Sequence, residues 1–583
     1  MLKQLAKIFR IAMDSSPGSL LIIVVSSAAG FLYPAVSTRI LSSIFHEFSN
    51  TALLNLHKIY FFMVLFIAIY ILKTILQSIA GLFVSIGIYE KLGYQLNIYI
   101  GEKCTKLPFI SMETPEILNK LNRAKDCVTR AVIPQLIMIT ISVFSSFISV
   151  LLVITLLASY SLWFIPISLL SVLPYLIARI IRGKEFYYLK WFQAPKRRSL
   201  DYFWSLFNNK QAVKEMRVNG SGDYLAEKWT YYRDAVLSQE WDFRRKDSLT
   251  LLVCDFLRTL GYLTSIFFAY RLVTHHEITI GLFGACIAAF AIVQDQTRSF
   301  LVEFGRFKEH LLFSKDYLDF LELDEEVEGR AQIKGAFNQI TMDNVTFRYP
   351  NSTDYALKNV SLQIHKGEKL AIVGKNGSGK TTLAKLILGM YSSSSGSIYY
   401  NGTDLKDINK TSYYSLISSI WQDFVTYKLT IRENIAISKT QKMDSDEAIL
   451  NVVKIMGMEK LVRENGLDTP IGNEFGGIEL SGGDNQRLGL ARTMFRDSSM
   501  VVLDEPTSAM DPTFESEVLE KFLEISENKT SLVISHRLGL CRVVDRIIVM
   551  NNGEIVGIGT HKELFENNAE YIKLYMAQEQ WYH

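Results

Sequence analysis

The chain has 583 residues, 49% of them apolar, and a mean hydropathy of +0.15. That length exceeds one compact core, so at least two domains are expected. The formal charge of +3 argues against a nucleic-acid or strongly acidic partner. Cys104, Cys127, Cys254, Cys286 and Cys541 form no CxxC or Cys/His spacing. The sequence therefore offers no metal-ligand cluster and no disulfide framework, and the cysteines read as small apolar fillers.

The N-terminus carries Lys3, Lys7 and Arg10 ahead of an apolar run from Leu20 to Val36. The run is long, lacks a small-residue cleavage site and is followed by further spans. It is expected to be a retained membrane helix, not a signal peptide. Six stretches are apolar and long enough to cross a bilayer: 17–40, 58–87, 133–157, 160–182, 248–273 and 279–300. The third and fourth are expected to form a tight hairpin around Ala158 to Ser161. Segment 88–132 carries about seven Lys and Arg and segment 183–247 about thirteen, whereas the other links carry few. By the positive-inside rule these two segments and both termini face the cytoplasm. Both segments have helical apolar spacing and few breakers, so they read as membrane helices continued into the cytoplasm, turning near Pro115, Gly220 and Gly222.

Charged residues gather from about 301 to 335. The expected organisation is an all-α six-helix transmembrane domain over 1–320, a linker over 321–335 and an α/β domain over 336–583. In the last part, short β-type runs such as "QITMDNVTFRY", "KLAIVG", "MVVLDEP" and "TSLVISH" alternate with helical stretches. This pattern implies a buried, largely parallel sheet.

Within that domain "AIVGKNGSGKTT" places an apolar strand, Ala371 to Val373, before a G-x-x-x-x-G-K-[ST] loop. The candidate phosphate contacts are Gly374, Lys375, Asn376, Gly377, Ser378, Gly379, Lys380, Thr381 and Thr382. Glycines allow a tight loop whose N–H groups point at phosphate oxygens. Lys380 supplies charge to the β- and γ-phosphates, Thr381 a hydroxyl to Mg²⁺, and the following helix its N-terminal dipole. In "SMVVLDEP" a buried strand ends in Asp504 and Glu505, at the sheet edge where open α/β sheets bind ligands. Asp504 suits the Mg²⁺ shell and Glu505 suits polarising an attacking water. "LSGGDNQR" opens a helix and could present N–H donors to a second phosphate group.

With these motifs in this order, the chain resembles the ABC transporter family over nearly its whole length, in the fused half-exporter form: a six-helix membrane domain followed by a P-loop ATPase. The resemblance implies further roles. Tyr349 matches the aromatic that stacks on adenine. Gln422 matches the glutamine that contacts Mg²⁺ and responds to the membrane domain. Ser481, Gly482 and Gly483 match the signature loop, and "SAMD", ending at Asp511, the loop at the dimer interface. His536 matches the histidine that senses the γ-phosphate. Asp484 departs from the usual glutamine of the signature, which puts the hydrolysis rate in question, and Glu474 is the nearest acidic match in a loosely fitting coupling loop.

The resemblance also implies ATP and Mg²⁺ as cofactors, and a homodimer in which each signature closes the partner's phosphate loop. Cytoplasmic extensions near Thr114–Leu118 and Ser221–Leu225 would rest on the ATPase surface close to Gln422. "LAIVGKNGSGKTTLAKLILGMY" and "WQDFVTYKLTIRENIAIS" are similar to stretches of nisin-type lantibiotic exporters. That similarity implies export of a modified peptide across the cell membrane, with a lipid flippase or multidrug exporter as the alternative. An ATP-gated channel or a membrane-tethered signalling ATPase is the reading from a different class, and the presence of Glu505 favours a pump. Inside the spans, Lys73, Asp255, Arg258, Asp295 and Arg298 are ionisable. They either line a polar substrate path or pair with one another to hold the bundle together.

Overall fold

The computed structural model describes residues 1–49, 56–333, 337–505, 526–535 and 541–579. The chain divides into two compact units: Met1–Thr105 with Glu116–Leu323, and Lys106–Pro115 with Asp324–His583.

The first unit is helical. Its elements are α1 (Leu2–Ser15), α2 (Pro17–Ser49), α3 (Leu56–Phe83), α4 (Leu92–Lys106), α5 (Pro115–Thr129), α6 (Val132–Tyr160), α7 (Phe164–Phe207), α8 (Lys210–Asn219), α9 (Gly222–Thr274) and α10 (Ile280–Leu321). Among the described residues, five helices are long and apolar enough to cross a membrane: Pro17–Phe48, Leu56–Lys106, Val132–Tyr160, Phe164–Lys190 and Gly222–Thr274. The sixth expected span, 279–300, falls on α10 and is not among them. The apolar start of α10 gives way to Gln294 and Asp295 before a full crossing length is reached.

Helix lengths bear out the expected extensions. At 1.5 Å per residue the 44 residues of α7 and 53 of α9 reach about 66 and 80 Å, against a hydrocarbon layer of about 30 Å. The turning points follow local chemistry. Pro115 opens α5, where its missing N–H costs nothing. Gly220 closes α8 with φ of 63°, a left-handed conformation open to glycine. The expected hairpin is present: α6 ends at Tyr160 and α7 begins at Phe164.

Between α3 and α4 the helix widens into a π segment, Val84–Lys91. Such widening frees a carbonyl, and Ser16 Oγ donates to Gly87 O at 2.9 Å. A Cβ at Gly87 would lie 2.0 Å from Ser19 Oγ, so this approach requires glycine. Deeper in the bundle, Gln294 Nε2 donates to Ser171 Oγ at 2.9 Å and to Arg258 O at 3.1 Å. One amide thus joins α7, α9 and α10. Arg258 and Arg298 both lie at ion-pair distance from Asp255, 3.5 and 3.7 Å.

The second unit holds two sheets. One has strand order β2-β1-β4-β5, with β1 (Gln339–Phe347), β2 (Leu357–His365), β4 (Ser395–Tyr400) and β5 (Thr403–Asp404), all antiparallel. The other has order β10-β9-β3-β8-β7-β6, with β3 (Lys369–Gly374), β6 (Ile417–Ile420), β7 (Met500–Asp504), β8 (Thr530–Ile534), β9 (Arg546–Asn551) and β10 (Glu554–Gly559). Its pairings are parallel except β9–β10. Every residue of β7 and β8 is buried, which accounts for their unbroken apolar sequence. Helix α11 (Lys380–Ile387) follows β3. The helices that follow in this unit include α12 (Lys410–Tyr414), α13 (Ile431–Ala436), α14 (Asp446–Ile455), α15 (Glu459–Asn465) and α16 (Gly482–Phe495).

Segment Lys106–Pro115 belongs to this second unit although α4 and α5 flank it in sequence. Its one-turn 3₁₀ helix, Phe109–Glu113, places Glu113 against Lys385 Nζ (3.0 Å) and Tyr391 Oη (2.6 Å). The Phe109 and Tyr391 rings lie 5.9 Å apart. From sequence this contact is expected over Thr114–Leu118 and near Gln422. The side chains that make it are Phe109 and Glu113, and their partners are Lys385 and Tyr391.

Candidate functional site

Parallel register gathers the site at one sheet edge. Asp504 pairs with Ile534, Ile372 also pairs with Ile534, and Ile420 pairs with Leu503. The chain therefore leaves β3, β6, β7 and β8 at the same end. Gly374, Gln422, Asp504 and Glu505 follow from those strands within two residues.

Gly374 closes β3 with φ of 154°, and a Cβ there would lie 2.3 Å from Met550 O. Gly379 has φ of 101°, and its Cβ would meet Ala356 O at 2.7 Å. Both turns are thus confined to glycine by backbone conformation and by neighbouring backbone. Gly377 has φ of 77° with open space beside it. Lys375 is anchored away from the loop by Glu570, at 3.0 Å. Ser378 Oγ is buried with no hydrogen-bond partner, an acceptor and donor turned into the loop.

Lys380 is 5% exposed. Its ammonium donates to Gly374 O at 3.0 Å and Lys375 O at 2.9 Å, both in the loop itself. Burial lowers its pKa, and Glu505 and Asp504 oppose that shift. The loop is thus closed on its own cation, a charge that anionic oxygens would draw off. Thr381 Oγ1 donates to Asp504 Oδ2 at 3.1 Å. Burial raises the Asp504 pKa, with the Thr381 hydrogen bond and Lys380 pulling the other way. A hydroxyl and a poorly compensated carboxylate side by side are hard oxygen donors of the kind Mg²⁺ takes, so these residues fit that ion. Glu505 has φ of 47° and its N–H donates to Ile534 O at 2.9 Å. A left-handed glutamate is strained by about 1–3 kcal/mol, a pattern concentrated at functional sites.

Tyr349 Oη and Thr382 Oγ1 lie 2.9 Å apart. The Tyr349 ring sits edge-on to Phe347 and Tyr391, at 5.1 and 5.7 Å. Gln422 is in an exposed turn after β6. Ser481 caps α16: its Oγ accepts from Asp484 N at 3.1 Å and donates to Asp484 Oδ2 at 2.6 Å. The departing Asp484 therefore fixes the signature serine. A Cβ on Gly482 would meet nothing within 4 Å, leaving this helix end open to a ligand. Glu474 pairs with Lys428 at 3.4 Å on the surface. His536 and Asp511 lie outside the described residues.

Sequence reading missed two networks. Arg492 donates to Asn434 O and Val425 O, each at 2.9 Å, and Thr426 Oγ1 donates to Asn485 Oδ1 at 2.9 Å. Together they tie the segment after Gln422 to α16. The other is the Glu113–Lys385–Tyr391 cluster, whose tyrosine packs on Tyr349. Arginine and asparagine at these places carry no motif, so only the fold exposes them.

A family model described as ABC transporter matches residues 357–508. The chain is 33% identical over 492 residues to the subtilin transport ATP-binding protein SpaT of Bacillus subtilis, covering 83% of this chain and 79% of that protein. It is 30% identical over 559 residues to the nisin transport ATP-binding protein NisT of Lactococcus lactis subsp. lactis, covering 95% and 91%. A match to the ATP-dependent lipid A-core flippase of Shigella sonnei (strain Ss046) is 37% identical but covers 44% of each chain. The solved structure of a bacterial Atm1-family ABC exporter with ATP bound aligns with a TM-score of 0.77 at 17% identity, over 96% of this chain and 97% of that one; it shares the fold. The chain belongs to the ABC transporter family, as an exporter that couples ATP hydrolysis to transport.

Proposed function

We propose that this chain exports a modified peptide across the cytoplasmic membrane as a homodimer, with the ATPase domain and both termini in the cytoplasm. The division of labour is a membrane domain over 1–320, a linker over 321–335 and an ATPase domain over 336–583. Helix α10 is the sixth span: it packs on α2, α6, α7 and α9, the place of a bundle member. The peptide class is supported by coverage. The relatives named for subtilin and nisin transport match 83% and 95% of this chain, the lipid A-core flippases 44% and 62%.

In this reading ATP enters at the loop Gly374 to Thr382, with Lys375, Asn376, Gly377 and Ser378 offering loop contacts and Tyr349 stacking on adenine. Lys380 exchanges the carbonyls of Gly374 and Lys375 for the β- and γ-phosphates. Thr381, Asp504 and Gln422 hold Mg²⁺, which supplies charge neutralisation to the phosphates. Glu505 orients and polarises the attacking water, and His536 contacts the γ-phosphate. One phosphate loop and one signature per chain require a second copy: Ser481, Gly482 and Gly483 of each chain close the other's site, with Asp511 at the seam. Nucleotide closes the dimer, and hydrolysis with release reopens it, a two-state change driven by differential binding.

The observation that carries the catalytic part is the meeting of Lys380, Thr381, Asp504 and Glu505 at one sheet edge. Glu505→Gln is the test. It is expected to retain ATP, trap a closed dimer on size-exclusion chromatography and lower turnover by about a hundredfold or more. Turnover at the wild-type rate would refute the assignment.

A further inference from the structure

The ionisable span residues Lys73, Asp255, Arg258, Asp295 and Arg298 separate into two groups. Asp255 is shared by Arg258 and Arg298 at ion-pair distance, and the Arg298 guanidinium also covers the Tyr175 ring at 5.7 Å. This group holds α9 to α10 and α7, and Arg298 also interacts electrostatically with Asp295. Lys73 and Asp295 differ: both line one cavity of about 620 Å³ bounded by α2, α3, α6 and α10. The ammonium of Lys73 lies over the Tyr33 ring at 4.5 Å, a contact that orients the charge without neutralising it.

Charges in a membrane bundle are costly and mark pathways or binding sites. The rest of the wall is suited to a polar ligand. Five serines and two glutamines line it, among them Ser142 and Ser145 of α6. On α2, Pro34 lacks an N–H and so removes the helical donor for the Gly30 carbonyl. Gly30 borders the same cavity. Ser37 Oγ and Thr38 Oγ1 donate to the carbonyl of Pro34 itself, at 3.0 and 2.6 Å.

Resting on the reading of this chain as a peptide exporter, we propose that this cavity binds a short cargo segment carrying opposite charges in close succession. Lys73 takes the carboxylate of that segment and Asp295 its ammonium or guanidinium. The serine hydroxyls take backbone amides. The volume lies in the range that encloses a small ligand, about 300–1,000 Å³, so the site reads a segment of the cargo and not its whole length. A wall of five serine hydroxyls favours a peptide over a lipid, whose headgroup offers no run of N–H groups.

The test uses the full chain in liposomes, with ATPase stimulation titrated by three synthetic peptides of equal length and hydropathy. One carries alternating lysine and glutamate, one lysine only and one glutamate only; phosphatidylethanolamine is the fourth titrant. Wild type is expected to respond to the mixed peptide at a concentration about tenfold lower than to the others, the worth of one charge-assisted hydrogen bond. Lys73→Glu is expected to shift the preference to the lysine peptide, and Asp295→Lys to the glutamate peptide. The milder Lys73→Gln and Asp295→Asn weaken the mixed-peptide response about tenfold, and they carry the test if the inverted charges disturb folding. A structural role alone would not invert selectivity. Equal response to all three peptides, or a preference unmoved by any variant, overturns the charge-pair site and leaves peptide export standing. Response to the phospholipid alone, or to no titrant, overturns both.

Discussion

In the ATPase unit, the groups that meet at the nucleotide site come from short contiguous motifs at the ends of buried strands. In the membrane unit, the groups that meet at the cavity come one or a few at a time from α2, α3, α6 and α10. The first arrangement is rigid because parallel register fixes it: Asp504 stands opposite Ile534, and Gly374 cannot carry a Cβ without striking Met550 O. The second depends on how four helices lean on one another, and a change in that packing alters the site. A transporter needs both, an invariant chemical centre and a binding chamber able to change shape. The difference also shows in charge. Lys380, Asp504 and Glu505 answer one another within the nucleotide site, whereas Lys73 and Asp295 border an open cavity.

The sharpest break of that comparison is Asp504→Asn. Hydrolysis is expected to fall about a hundredfold or more as the proposed Mg²⁺ ligand is lost, read by phosphate release. The same change is expected to raise the melting temperature of the nucleotide-free protein by a few degrees. The sign follows from the shift: burial raises the folded pKa of Asp504 above its unfolded value, so folding favours the neutral acid. Wild type loses that preference as pH climbs from the unfolded pKa through the folded one, and the cost is fully present above it. Asparagine removes this slope. A melting temperature lowered at neutral pH would show that the carboxylate stabilises the fold instead.

Glu113→Ala addresses the segment chained to α4 and α5 yet packed on Lys385 and Tyr391. If that cluster carries nucleotide occupancy along the chain, cargo-stimulated ATPase and transport fall by about tenfold, a typical coupling energy. ATP affinity measured by nucleotide fluorescence stays near wild type. Equal loss of binding and transport would make the segment a support of the ATPase fold alone.

The smallest effect is expected from Asp255→Asn. It removes the carboxylate that Arg258 and Arg298 share and lowers thermal stability by a few degrees, while the order of cargo preference is retained. A changed preference would move Asp255 into the binding site and erase the distinction between the two charge groups.

Much of the ATPase site could be read from the chain alone. The loop from Gly374 to Thr382 and the acids at the end of β7 are local patterns: strand, turn and helix are decided by residues a few positions apart. Spans were legible for the same reason, since apolar length is a property of contiguous sequence. α10 was harder, because its polar residues Gln294, Asp295 and Arg298 interrupt the run that defines a span. Thr426, Asn434, Asn485 and Arg492 could not be found that way, since their hydrogen bonds join residues tens of positions apart.

Sequence by itself determined the two-part organisation, the phosphate loop with its acidic strand end, and the long helices that outrun a bilayer. Only the tertiary structure decided that Arg298 lies at ion-pair distance from Asp255 on another helix, and that Lys73 and Asp295 share a cavity. It alone assigned Lys106–Pro115 to the ATPase unit. The physical reason is that linear spacing fixes which face of a helix a side chain occupies, whereas its partner is chosen by whatever helix packs against that face.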